Sequence, residues 1–154
     1  MMRKLNKIAS ESELTTINIT HPQLGKIRFN LFDELIINEQ VVNRELSEQP
    51  STYAYLGILH KKLNRMVKSQ EMEVEKVYSK VFLENKETLN PLTNRVHSQD
   101  TIKEMVKSNA KYRSAIKKLH DLEYDKDLIY VCLNSFEQRA SMIQSISANN
   151  RKIS

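Results

Sequence analysis

Apolar residues in the middle of the chain fall at Leu56, Leu59, Leu63, Met66, then Gln70, then Val74, Val77 and Val81. The steps between them are 3-4-3-4-4-3-4, the spacing of one face of a long α-helix. Heptads are interrupted once, by a four-residue insertion at Gln70, a stutter of the kind that locally unwinds supercoiled helices. Such a repeat cannot be accommodated in a strand, whose side chains alternate with period two. It predicts a helix from about Thr52 to about Glu87. A single long helix buries little surface alone, so this one needs partners along its apolar face.

The rest of the chain is compatible with that frame. Only two glycines and three prolines occur among 154 residues, which favours long uninterrupted elements. Charged residues make up 28% and aromatics 6%, with no Trp, a composition suited to a thin helical core rather than a deep catalytic pocket. Before the long helix, Leu31, Leu35, Ile36, Val42 and Leu46 predict a shorter one ended by Glu48-Gln-Pro-Ser51, because Pro50 disfavours a helical Gln49. After it, Thr88–His97 with Pro91 predicts a loop, and Ser98 an N-cap followed by Asp100 and Glu104. From there Ile102, Met105, Tyr112, Ile116 and Leu119 form one stripe. Ile129, Cys132, Phe136, Ala140, Ile143 and Ile146 form another, with a kink or turn expected at Tyr124–Asp127 between them. Residues 1–30 carry two short alternating arms, Leu14–Thr20 and Lys26–Asn30, around His21-Pro-Gln-Leu-Gly25. They read either as a small β-hairpin or as a tail that orders on assembly. The expected fold class is therefore mainly α: an elongated helical hairpin or bundle, with 1–30 as an accessory arm and 31–154 as the helical domain.

Net charge is +5, from 24 basic and 19 acidic residues. The basic residues are not scattered. On a helical wheel Lys61, Lys62, Arg65, Lys68, Lys76 and Lys80 cluster opposite the apolar stripe, with Glu71, Glu73, Glu75 and Glu84 on the flanks. Read as one continuous helix, Lys103, Lys107, Lys111 and Lys118 lie within about a quarter turn of one another. Two readings fit these stripes: the outward faces of an amphipathic bundle, or a groove that holds a phosphate backbone without reading sequence. Tyr53, Tyr55, Tyr78, Phe82 and Tyr112 serve packing in the first reading and base stacking in the second.

No catalytic constellation is present in the sequence. There is no Gly-rich phosphate loop, and His21, His60, His97 and His120 lack metal-ligand spacing. The one cysteine, Cys132, sits among Ile129, Tyr130, Val131 and Leu133 and reads as a packed thiol. Neither cofactor, metal nor enzyme activity is expected. No apolar run spans a bilayer, and Met1-Met2-Arg3-Lys4 leads into polar sequence without a signal peptide, so a cytoplasmic location is expected, in the host cell if the chain is phage-encoded.

From about Leu31 onward the chain resembles the recombination mediator proteins of tailed bacteriophages, of the UvsY type. An early amphipathic helix (FDELIINEQVVNREL) precedes a tyrosine-containing stretch (STYAYLGIL), a Lys/Glu-rich long helix, a loop, a further helix and an apolar segment around a cysteine (LIYVCLNSFEQRASMIQ). The family's basic motif, Lys-Val-x-x-Lys-x-Arg-Leu-acid, is similar to Lys76–Glu84 here, with Phe82 in place of the arginine. The resemblance implies a non-catalytic role. The chain would bind single-stranded DNA, displace or remodel single-strand-binding protein, and help a RecA-like recombinase to nucleate, in recombination, repair and replication. It also implies a ring-like homo-oligomer assembled through Leu128, Ile129, Cys132, Phe136, Ala140, Ile143 and Ile146. The competing expectation is a structural or assembly protein without DNA affinity: a phage scaffold, a tail chaperone or a coiled-coil adaptor.

Overall fold

Alternation of apolar and polar residues resolves the N-terminal ambiguity in favour of a hairpin. In the computed structural model, which describes the backbone of residues 15–153 and the side chains of residues 15–151, strand β1 (Thr16–His21) pairs antiparallel with β2 (Gly25–Asn30). Register places Ile17 opposite Phe29 and Ile19 opposite Ile27. Ile17, Ile19 and Ile27 are buried while Asn18, Thr20 and Arg28 face water, the period-two division that a half-covered hairpin requires. Gly25 closes the turn at φ +76°, a conformation that an L side chain rarely adopts. The polar start, Met1–Lys4, and Leu14, the first residue of the expected arm, lie outside the described residues.

Helix α1 (Leu31–Leu35) follows β2 directly, because the Asn30 side chain accepts from the backbone N–H groups of Phe32 and Asp33 at 3.0 and 3.4 Å. The expected helix over Leu31–Leu46 is instead interrupted at Ile36–Asn38. There the chain is extended until Asn38 caps a short 3-10 turn (Glu39–Val41) that leads into α2 (Val42–Lys86). The expected stop at Pro50 does not occur, and α2 runs through it for 45 residues, roughly 68 Å at 1.5 Å per residue. Pro50 has no N–H for the carbonyl of Leu46, and a proline in a helix interior costs about 3 kcal/mol. Anchoring next to it offsets that cost. Gln49 is buried, and its amide donates to the carbonyl of Phe136 at 2.7 Å.

Asn90 builds the loop after α2. Its side chain accepts from Leu92 N–H at 2.9 Å, its carbonyl accepts from Asn94 N–H at 2.8 Å, and its own N–H donates to the carbonyl of Arg95 at 2.8 Å. Ser98 then caps α3 (Gln99–Ser108), as expected, with its hydroxyl accepting from Thr101 N–H. Helix α3 stops at Asn109, which is extended at ψ 130° and whose side chain accepts from the N–H groups of Lys111 and Tyr112 at the start of α4 (Ala110–Ile153). No turn interrupts the chain at Tyr124–Asp127, and α4 is continuous through it. No Gly or Pro occurs in this stretch to interrupt the helix.

Packing divides the chain differently from the expected 1–30 and 31–154. One unit comprises residues up to Leu59 together with Leu128 onward; the other is His60–Asp127. In the first, the hairpin isoleucines, Leu31, Val42 and Leu56 are buried, as are Ile129, Cys132, Phe136 and Ile143. A polar network lies within that unit. Arg139, 9% exposed, donates to Gln49 Oε1, to the carbonyl of Ile36 at 3.0 Å, and to Glu45 in an ion pair. In the second unit, Val81, Ile102 and Val106 form a cluster covered by Val77, Tyr78, Phe82 and Tyr112. Val67 is buried and Met66 only half-buried, so the four-residue step falls between Leu63 and Val67, one heptad before the expected position. Gln70, half-buried, donates to the carbonyl of Ala115 at 3.0 Å.

Removing one member of a buried charged network leaves its partners desolvated and unpaired, at a cost of about 3–5 kcal/mol. Arg139→Ala is expected to lower the unfolding free energy by that amount in urea titration. An exposed change on the same helix, Ser141→Ala, is expected to leave it within about 0.5 kcal/mol of the parent.

Candidate nucleic-acid interface

All ten basic residues singled out from the sequence lie in the His60–Asp127 unit, and all ten are exposed. Lys61, Lys62, Arg65, Lys68, Lys76 and Lys80 are on α2; Lys103 and Lys107 are on α3; Lys111 and Lys118 are on α4. The charge excess is concentrated here. Residues 60–127 hold 15 basic and 11 acidic residues, whereas the described remainder of the chain holds six of each.

The α2 stripe is open. Burial of Leu63, Val67 and Val81 turns the opposite face of the helix to water. Among the described residues, Lys76 alone of its six cations has an acidic partner, Glu73 at 3.8 Å, and both side chains are well exposed. The α3 lysines are more engaged. Lys103 pairs with Asp100 at 3.1 Å and Lys107 with Glu104 at 2.7 Å. The hydrogen bond that Lys107 donates to Glu104 raises its pKa above the ordinary value. Exposed pairs of this kind contribute at most about 1 kcal/mol, so a phosphate can displace them.

Asn109 overturns the single wheel drawn through Lys103, Lys107, Lys111 and Lys118. The break places the first two on α3 and the last two on α4, so their spacing in sequence no longer sets a common face. Lys111 and Lys118 do come together, on either side of Ser114, where they line a groove of about 410 Å³. Its other wall is Gln70, Glu73 and Val77 of α2. The expected groove between two basic stripes is thus basic on one wall only, and the α2 cations are not among its lining residues.

Three of the aromatics proposed for stacking are packing residues. Tyr78 stacks on Phe82 with centroids 6.0 Å apart and meets Tyr112 edge-on at 5.7 Å, over the Val81–Ile102–Val106 cluster. Phe82, at the position where the mediator motif has arginine, is therefore half-buried against this core. Tyr53 and Tyr55 are exposed but belong to the other unit. The i,i+4 spacing of Tyr78 and Phe82 was the available sequence signal for their pairing.

Ile129, Cys132, Phe136 and Ile143, expected at an interface between copies, are buried within one chain; Leu128, Ala140 and Ile146 are half-buried. A second copy could not reach the first four without opening the core. The apolar side chains that α4 leaves exposed in this region are Tyr130, Val131 and Met142. Sequence reasoning missed the Arg139–Glu45–Gln49 network, whose members are separated by about ninety positions and carry no shared periodicity. Asn109 was also missed, although an asparagine before Ala-Lys-Tyr-Arg is a recognisable cap.

No helix among the described residues is long and apolar enough to cross a membrane. No protein-family model, curated protein or solved structure matches the chain.

Burial pushes the Cys132 thiol up from 9.0 to about 11, because the thiolate would lose its hydration. A pKa raised on folding supplies stability that is complete below the unfolded value and is lost as pH rises through the folded one. The stability difference between the parent and Cys132→Ala, measured in urea, is expected to be constant up to about pH 8.5 and to shrink toward pH 11. Native Cys132 is expected to resist iodoacetamide at pH 8 and to react once urea unfolds the chain.

Proposed function

We propose that this chain is a recombination mediator. It binds single-stranded DNA without sequence preference and promotes loading of a RecA-like recombinase onto DNA covered by single-strand-binding protein. The observation that carries the reading is the open basic face of α2, on which six exposed cations from Lys61 to Lys80 have one acidic partner among the described residues. A linear row of ammonium and guanidinium groups along a rigid helix fits a phosphate backbone, whose affinity comes from counterion release and not from base contacts. Lys111 and Lys118 extend the surface on α4, while Lys103 and Lys107 contribute after giving up Asp100 and Glu104. Because Tyr78, Phe82 and Tyr112 are engaged in packing, the binding in this reading is chiefly electrostatic. In this reading the chain acts as a homo-oligomer, ring-like as in the mediators it resembles. Since Ile129, Cys132, Phe136 and Ile143 are covered within the chain, self-association on α4 falls to Tyr130, Val131 and Met142.

Titration with fluorescent single- and double-stranded oligonucleotides tests this directly. Tighter binding to the single strand is expected, with log K falling against log salt at a slope of roughly −4 if all six α2 cations engage. Absence of binding at low salt would remove the reading. Lys76→Ala with Lys80→Ala is expected to reduce the slope by about 1.4 while leaving helicity by circular dichroism unchanged. An unaltered slope would move the interface to Lys111 and Lys118.

The alternative, a non-catalytic scaffold, tail chaperone or adaptor, is favoured by one feature. The Asn90-ordered loop holds Leu92 93% exposed, beside exposed Leu89 and Val96. That reading stands if no oligonucleotide binds.

A further inference from the structure

In the unit that contains the hairpin, a small cleft of about 180 Å³ is lined by Phe29, Glu34, Thr52, Tyr55, Leu56 and Phe136. Three of its six lining residues are aromatic, and no basic residue lines it. Its walls come from separate elements that are each held in place. Phe29 lies on β2 opposite Ile17. Phe136 is 3% exposed, and its carbonyl accepts from buried Gln49. Leu56 is buried in α2 and Tyr55, next to it, is about half exposed. Glu34 projects from α1, whose start is pinned by Asn30. It is exposed, and no cation among the described residues pairs with it.

Aromatic rings beside an unpaired carboxylate form a recognisable combination. The faces of Phe and Tyr attract a cation through the ring quadrupole, and the carboxylate supplies its counter-charge. Volume restricts the guest: 180 Å³ is below the range of about 300–1,000 Å³ typical of small-molecule sites, and suits one long side chain. A polyanion is excluded by Glu34 and by the absence of any base in the lining. Of the two basic side chains, arginine fits better, because its planar, weakly hydrated guanidinium stacks on rings while its fork bonds a carboxylate. We propose that this cleft takes a single arginine side chain presented by a protein partner, with the alkyl stem against Leu56 and Phe136 and the guanidinium between the tyrosine and the Glu34 carboxylate. None of the six lining residues belongs to the basic face of α2.

The test uses the full chain and a short probe, acetyl-alanyl-arginyl-alanine amide, with the same peptide carrying norleucine as the uncharged control. Binding is followed through the ring proton resonances of Phe29 and Tyr55. The arginine peptide is expected to shift them saturably and the norleucine peptide to bind at least about fivefold more weakly. Glu34→Gln, an exposed change, is expected to weaken the arginine peptide about threefold to tenfold while leaving the norleucine peptide unaffected. Tyr55→Ala is expected to weaken it about threefold, with backbone amide spectra confirming that both variants remain folded. Equal binding of the two peptides, no shift at these rings, or an arginine affinity unchanged by Glu34→Gln would each overturn the proposal. None of these outcomes bears on oligonucleotide binding, which is measured at α2.

Discussion

The guanidinium of Arg139 is the contact on which the N-terminal half of the helical architecture depends. It reaches, from one helix, three features that the local sequence does not bring together: the carbonyl of Ile36 in the extended break, the carboxylate of Glu45 and the amide of Gln49 in α2. Gln49 returns the connection through the carbonyl of Phe136, one turn before Arg139. A buried arginine is stable only when its charge and donors are satisfied. Meeting that requirement fixes where the chain leaves α1 and how α2 is placed at its proline. The Arg139 Nε remains without a partner among the described residues, so the network specifies position more than it adds stability.

Two polar positions do comparable work elsewhere. Gln70 occupies a site that the heptad reserves for an apolar residue, and its amide finds the carbonyl of Ala115. A small residue at Ala115 suits that contact, because it allows the backbone of α4 to lie within hydrogen-bond reach. Asn109 separates α3 from α4 by accepting the amide protons of Lys111 and Tyr112 in the first turn of the new helix. The short α3 can then set Ile102 and Val106 against Val81 independently of the course taken by α4. In each case a hydrogen bond with a unique geometry decides what hydrophobic patterning, which tolerates neighbouring registers, leaves open.

These same choices sort the charges. Apolar side chains of α2 are consumed on one face, and the lysines and Arg65 are therefore presented together on the other. Tyr78, Phe82 and Tyr112 of that unit are drawn onto its core, while Tyr124 stays exposed. The result is a surface suited to charge neutralisation, in a unit that carries all the excess of positive charge among the described residues. The other unit is balanced in charge, and its recess is aromatic and acidic.

Periodicity and capping alone determined that this chain is mainly helical, that Leu56, Leu59, Leu63 and Val81 face inward, and that Ser98 begins a helix; alternation near 16–30 left a hairpin and a tail both open. Those features depend on neighbours within a few positions, where steric and capping preferences act directly. Periodicity could not decide whether Pro50 ends a helix, whether Tyr124–Asp127 bends, or whether the stripe from Ile129 to Ile143 is spent within the chain or between copies. Pro50 weighs about 3 kcal/mol against helix continuation, a local preference that a buried network ninety residues distant can outweigh. Exposure of the α2 cations was legible, because an amphipathic helix has only one outward face. Their separation from Lys111 and Lys118 was not, because it depends on a single asparagine ending one helix and starting another.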